Sequence, residues 1–142
     1  MTADLTFAPP SSEDLQAGTL GRALRGYNYR FVGEYPQAEP VRLDARDAQG
    51  RLVGGIRAFV MLSWMHTDLL WVADDRRGQG LGRHLLCWAE AQGKALGARH
   101  AKLDTFEWQA REFYVKQGYV EYARIEDYLP GFYLAQMKKS LA

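Results

Sequence analysis

Between residues 81 and 96, Leu81, Leu85, Trp88, Ala89 and Leu96 recur at helical spacing and fall on one face. The spacing predicts a helix over 81–96, stopped by Gly97. Residues 41–46 alternate apolar and polar, the pattern of a strand with one wet face. A turn at 47–50 ends on Gly50, and two mostly apolar strands follow at 52–62 and 65–72. Downstream come a short strand at 101–103 and a helix over 107–117 with Gly118 as its stop. Glu112 and Lys116 form an i,i+4 pair on that helix. Strands at 119–125 and 132–137 close the chain around a turn at 127–131.

The first forty residues are patterned less clearly. A short strand is predicted at 4–8, stopped by Pro9 and Pro10. Ser11 or Ser12 caps a helix carrying Leu15, Leu20, Ala23 and Leu24, with Gly26 as its stop. Residues 27–40 are rich in tyrosine, glycine and proline, and predict a loop holding at most a short helix. The order β-α-loop-βββ-α-β-α-ββ predicts an α+β fold, helices on a mixed sheet, in one domain spanning 1–142.

Composition narrows the class. The 142 residues are 47% hydrophobic and 13% aromatic, enough for a packed core and against disorder. A net charge of +1 carries no electrostatic footprint for nucleic acid or an anionic membrane. No apolar run reaches the ~20 residues that span a bilayer. The start, Met1-Thr2-Ala3-Asp4, lacks the basic and apolar regions of a signal peptide, and Cys87 is the single cysteine. A cytoplasmic protein without a disulfide is expected.

The candidate chemistry sits between strand 65–72 and helix 81–96, in Asp74-Asp75-Arg76-Arg77-Gly78-Gln79-Gly80-Leu81-Gly82-Arg83. A glycine-rich turn from strand to helix bares backbone N–H groups where the helix dipole is positive. Gly78, Gly80 and Gly82 let a ligand approach the main chain, and Arg76, Arg77 and Arg83 add charge. This pattern suits a pyrophosphate. It is no P-loop, because Arg83-His84 follows the last glycine instead of Lys-Ser or Lys-Thr. A Rossmann turn is not excluded by spacing, since Asp104 lies at about the right distance, but too little chain remains for a doubly wound sheet. A glycine-rich loop without a ligand is the plain alternative.

Arg77-x-x-Gly80-x-Gly82 resembles the acyl-CoA pyrophosphate signature of the GNAT N-acetyltransferase superfamily, and residues 103–119 resemble its later strand–helix motif, with Phe113-Tyr114 before Gly118-Tyr119. Both motifs stand in the family's order and separation. The resemblance implies transfer of an acetyl group from acetyl-CoA to a primary amine of a small molecule or peptide, without a metal. It implies a central sheet with a splayed strand pair forming the acyl-CoA cleft. The strand before the turn would carry a bulge, with Leu70, Trp71 and Val72 lining the pantetheine arm through main chain. The N–H of Leu70 or Trp71 would polarise the thioester carbonyl. Residues Arg77, Gly78, Gln79, Gly80, Leu81, Gly82 and Arg83 would hold the pyrophosphate.

By the same resemblance Tyr114 is the general acid for the departing sulfur, Phe113 packs beside it, and Gln109 replaces a cofactor-binding asparagine. His66 stands where some members carry a glutamate base, and Asp68, two residues on, would orient it or bind a cationic substrate. Many members have no dedicated base. Glu34, Glu107 and Asp127 are looser candidates for an acidic rim, and Tyr27, Tyr29, Phe31 and Tyr35 for an acceptor wall or for ordinary packing. His84 and Cys87 stand three apart without further ligands, too few for zinc. Family members often pair as homodimers, though nothing in the chain selects an interface. A non-catalytic acyl-CoA-binding or sensing module is the alternative function.

Overall fold

The computed structural model describes residues 4–142. The chain divides into two compact units, Met1–Tyr35 and Pro36–Ala142. In the first, the Ser11 hydroxyl accepts from the Asp14 N–H and caps α1, Ser12–Ala17. Gly18 adopts φ 63° and ends α1, and α2 runs from Thr19 to Val32. The break therefore falls at Gly18 and not at Gly26, which lies inside α2. A helical glycine costs only about 1 kcal/mol, whereas Gly18 takes the left-handed geometry that closes a helix. The helix also reaches into the expected loop. Residues 4–8 form no strand, having no ladder partner.

The second unit is a six-stranded sheet in the order β1-β2-β3-β4-β6-β5. Its strands are β1 Glu39–Arg46, β2 Leu52–Met61, β3 Trp64–Val72, β4 His100–Phe106, β5 Val120–Leu129 and β6 Phe132–Ser140. Only β3 and β4 are parallel, joined through α3, Leu81–Ala95. The core lies between α3 and the sheet, with Ile56, Met65, Leu85, Leu86, Ala101 and Met137 among its most enclosed members. Small residues set how close α3 can lie. A Cβ on Gly93 would stand 2.9 Å from the Met65 sulfur, and one on Gly54 3.1 Å from Leu81 Cδ2.

Three local expectations shift. Helix α4, Arg111–Lys116, starts later than residue 107. Gln109 makes a closed turn first, its N–H reaching the Phe106 carbonyl at 2.9 Å and its Oε1 accepting the Phe106 N–H at 2.7 Å. Glu112 pairs with Arg111 at 2.8 Å instead of Lys116. The last hairpin is tighter than expected, with Leu129 opposite Phe132 around Pro130-Gly131.

Candidate functional site

A bulge organises the site. On β3, Thr67 stands opposite Ala58 and Leu69 opposite Arg57, so Asp68 is an extra residue. The extra residue changes which positions face α3. Met65 and Thr67 are buried before it, while Leu70 and Val72 pack on the core after it. At the same point the sheet opens. Residues 64–67 of β3 pair with 100–103 of β4, but beyond Thr67 and Leu103 β3 keeps only β2, and β4 keeps only β6. The result is a fork.

The free backbone edge of this fork can be assigned. The Ala73 N–H bonds the Val53 carbonyl at 2.8 Å, and the Trp71 carbonyl faces Gly54. Strand alternation then turns the main-chain groups of Leu70 and Val72 toward the open side. The Val72 carbonyl accepts Arg77 Nε at 3.1 Å. The Leu70 N–H therefore faces the gap, and Trp71 faces β2.

Beyond β3, a short 3-10 turn at Asp74–Arg76 leads into the glycines. Gly78 and Gly80 take φ 76° and 81°, and nothing lies within 4 Å of where their Cβ atoms would be. Gly80 is the N-cap of α3 without a side-chain cap, and the first helical bond is His84 N–H to the Gly80 carbonyl. The amides of Leu81, Gly82 and Arg83 thus keep free donors at a positive dipole end. Arg77 is committed to the turn itself, bonding Val72 and lying 3.4 Å from Asp74. Asp75 is held by Arg51 at 2.8 Å. A cavity of about 480 Å³ adjoins the turn, lined by Arg46, Arg76, Gln79 and His84 among others.

Gly82 lets Phe113 come close, its Cβ position lying 3.5 Å from the Phe113 ring and 3.6 Å from Val72. Phe113 meets the Tyr114 ring edge-on at 5.1 Å. Tyr114 is buried, and burial alone pushes its hydroxyl up to about 12. Behind it, the Tyr119 hydroxyl donates to Glu90 Oε2 at 2.8 Å and Lys139 Nζ donates to Oε1 at 2.8 Å. Burial, followed by the Glu90 carboxylate, pushes the Tyr119 hydroxyl far up as well.

At the fork a cavity of about 250 Å³ is lined by His66, Thr67, Asp68, Lys102, Leu103, Asp104 and Gln136. The His66 ring stacks on Phe59 at 4.7 Å. Burial lowers its pKa, Lys102 lowers it further, and Asp68 opposes them, so the ring is neutral at pH 7.

A family model described as an acetyltransferase (GNAT) domain matches residues 43–121, more than half of the chain. The chain belongs to the GNAT acetyltransferases. Blasticidin-S acetyltransferase of Streptomyces morookaense is 38% identical over 110 residues, covering 77% of this chain and 81% of that protein. An acetyltransferase from Bacillus cereus matches with a TM-score of 0.81 and 28% identity, over 95% of this chain and 96% of that one. An aminoglycoside 6'-N-acetyltransferase complexed with coenzyme A shares the fold at TM-score 0.65 and 20% identity, over 73% and 74% of the two chains.

In this acetyltransferase the fold brings His66 and Asp68 to one cavity, and Phe113 against the glycine turn. Other expected site residues serve structure. Gln109 closes the β4–α4 turn through its side-chain oxygen, and Arg77 holds the turn instead of standing free. Glu107 accepts the Tyr133 N–H, and Asp127 accepts the Gly131 N–H within the hairpin. Tyr29 and Tyr35 pack edge-on at 5.1 Å and bond within their own unit. Sequence reasoning passed over Thr67, Lys102, Gln136 and the Glu90–Lys139 pair. Strand register gathers the first three, and Glu90 and Lys139 lie 49 positions apart with no local pattern linking them. Among the described residues no three His, Cys, Asp or Glu side chains gather as a metal site, and no helix is long and apolar enough to cross a membrane.

Proposed function

We propose that this acetyltransferase carries an acetyl group from acetyl-CoA to a primary amine of a small polar molecule. The observation that carries the reading is the fork beside an uncapped glycine turn. The open amides of residues 78–83 fit a diphosphate, and the unpaired edge of β3 fits an amide-bearing arm. Support for the donor comes from the fold neighbour complexed with coenzyme A, and for the acceptor class from the relative that is a blasticidin-S acetyltransferase.

The thioester supplies an activated acyl carbon and a thiolate leaving group. The Leu70 N–H hydrogen-bonds the carbonyl oxygen and stabilises the oxyanion as the amine attacks. His66, neutral at pH 7, takes the amine's proton directly or through a water, with Asp68 beside it. The Tyr114 hydroxyl gives its proton to the sulfur as the C–S bond breaks. Against a free thiol near 8.5, a phenol at about 12 faces an uphill transfer of about 5 kcal/mol. The same burial raises the thiol's pKa too, which narrows the gap.

The test is calorimetry with acetyl-CoA, followed by thiol release with a panel of amines that includes blasticidin S. Saturable heat and amine-dependent thiol release are expected. No heat with acetyl-CoA overturns the reading, and binding without turnover of any amine leaves a non-catalytic acyl-CoA-binding module.

A further inference from the structure

Resting on that reading of the site, we infer that Tyr119 and Glu90 are positioning residues: the hydroxyl of Tyr119, bound to the Glu90 carboxylate, fixes the ring against which the Tyr114 phenol stands. Helix α4 cannot hold that phenol alone. It has six residues and no side-chain N-cap, and Tyr114 is its one buried residue. Helices this short are marginal without tertiary contacts. After it, Gly118 takes φ 94°, and the Tyr119 N–H returns to the Tyr114 carbonyl at 3.0 Å. That turn sets the Tyr119 ring edge-on to the Tyr114 ring, with centroids 5.8 Å apart.

What fixes Tyr119 lies outside α4. The residue is 1% exposed, and its hydroxyl donates to Glu90 Oε2 on α3 at 2.8 Å. Glu90 Oε1 accepts Lys139 Nζ from β6 at 2.8 Å, so the carboxylate is held from a second direction. A hydroxyl on a carboxylate makes a charge-assisted, directional bond. The phenol of Tyr114 is thereby referenced to α3, the helix whose glycine turn fits the diphosphate end of the same cofactor.

Packing does not require this arrangement. Phenylalanine in place of Tyr119 would fill the same space, and apolar side chains often replace a buried charged cluster without loss of stability. Placement is what the cluster supplies. A shift of about 1 Å in a reacting group can cost about a hundredfold in rate, so a fixed ring beside the phenol bears on kcat.

Tyr119→Phe keeps the ring and removes the hydroxyl. It is expected to lower kcat about tenfold, to leave the acetyl-CoA dissociation constant within about twofold, and to move the Tyr114 ring resonances in NMR. In a Tyr114→Phe background the same change should cost no further kcat, because the hydroxyl it positions is gone. Glu90→Gln keeps a hydrogen-bonding group for the Tyr119 hydroxyl and is expected to retain more kcat than Glu90→Ala. Unmoved Tyr114 resonances, an equal loss of kcat in both backgrounds, equal losses in the two Glu90 variants, or a lowered Tm with kcat intact would each overturn the inference. Full kcat in Tyr114→Phe alone would instead overturn the acid role of Tyr114, and the resonances would then still report whether Tyr119 holds its ring.

Discussion

Burial makes a phenol a poorer acid and a better-ordered one, and both effects meet at Tyr114. Its hydroxyl, pushed up to about 12, stays protonated through the whole working range and has no hydrogen-bond partner among the described residues. Tyr114→Phe should therefore lower kcat by about a hundredfold or more while leaving acetyl-CoA affinity within a fewfold, read by thiol release and calorimetry. Because the folded pKa lies above the unfolded value of 10.0, the stability this group adds is complete below that value and disappears as pH rises toward about 12. His66 behaves in the opposite sense. Its pKa lies below 6.5, so its contribution is present above that value and is lost as pH falls through the folded one. Lys102→Met should raise the His66 pKa in an NMR titration and lessen the loss of stability as pH falls below 6.5. The sequence singled out Tyr114 and His66 as candidates. Their proton affinities were not legible there, because burial and a charge on the neighbouring strand decide them.

Elements meet at a few decisive contacts. Glu90 on α3 joins Tyr119, just past α4, to Lys139 on β6, so one buried carboxylate ties a helix to two later parts of the chain. Glu90→Ala removes both acceptor oxygens and leaves the Tyr119 hydroxyl, 1% exposed as a residue, without its partner. A loss of about 3 kcal/mol is expected in urea unfolding at neutral pH. The bulge is the other decisive feature. One extra residue at Asp68 moves Leu70 and Val72 onto the core face, and their other edge has no paired strand among the described residues. Apolar spacing located β3 itself, since Met65, Leu70 and Val72 are plainly apolar. It could not locate the extra residue, because both faces of this strand carry large side chains and register depends on the partner strand.

For the whole molecule, the proposed function links ligand binding to folding through the glycine turn. Acetyl-CoA at about a hundred times its dissociation constant should stabilise the fold by about 2.7 kcal/mol and raise Tm by several degrees. Gly78→Asp is a sharp control. Aspartate tolerates the left-handed φ of 76°, and nothing lies within 4 Å of the new Cβ, yet its charge opposes a diphosphate. The variant should melt near the wild-type temperature without ligand and show no shift with acetyl-CoA. By itself the sequence determined the order of elements in Pro36–Ala142, the glycine turn and the helix it starts. Those features rest on neighbours a few positions apart: apolar periodicity, glycine's backbone freedom and helix capping. Near the N-terminus the same local rules misled, because Gly26 resembles a stop and residues 4–8 resemble a strand until helical bonds or a missing ladder partner decide otherwise. Only the tertiary structure decided the fork, the gathering of His66, Asp68, Lys102 and Asp104 at one cavity, and the Glu90 anchor. Each depends on which strand lies beside which and on how much water is excluded, and no short stretch of sequence contains that information.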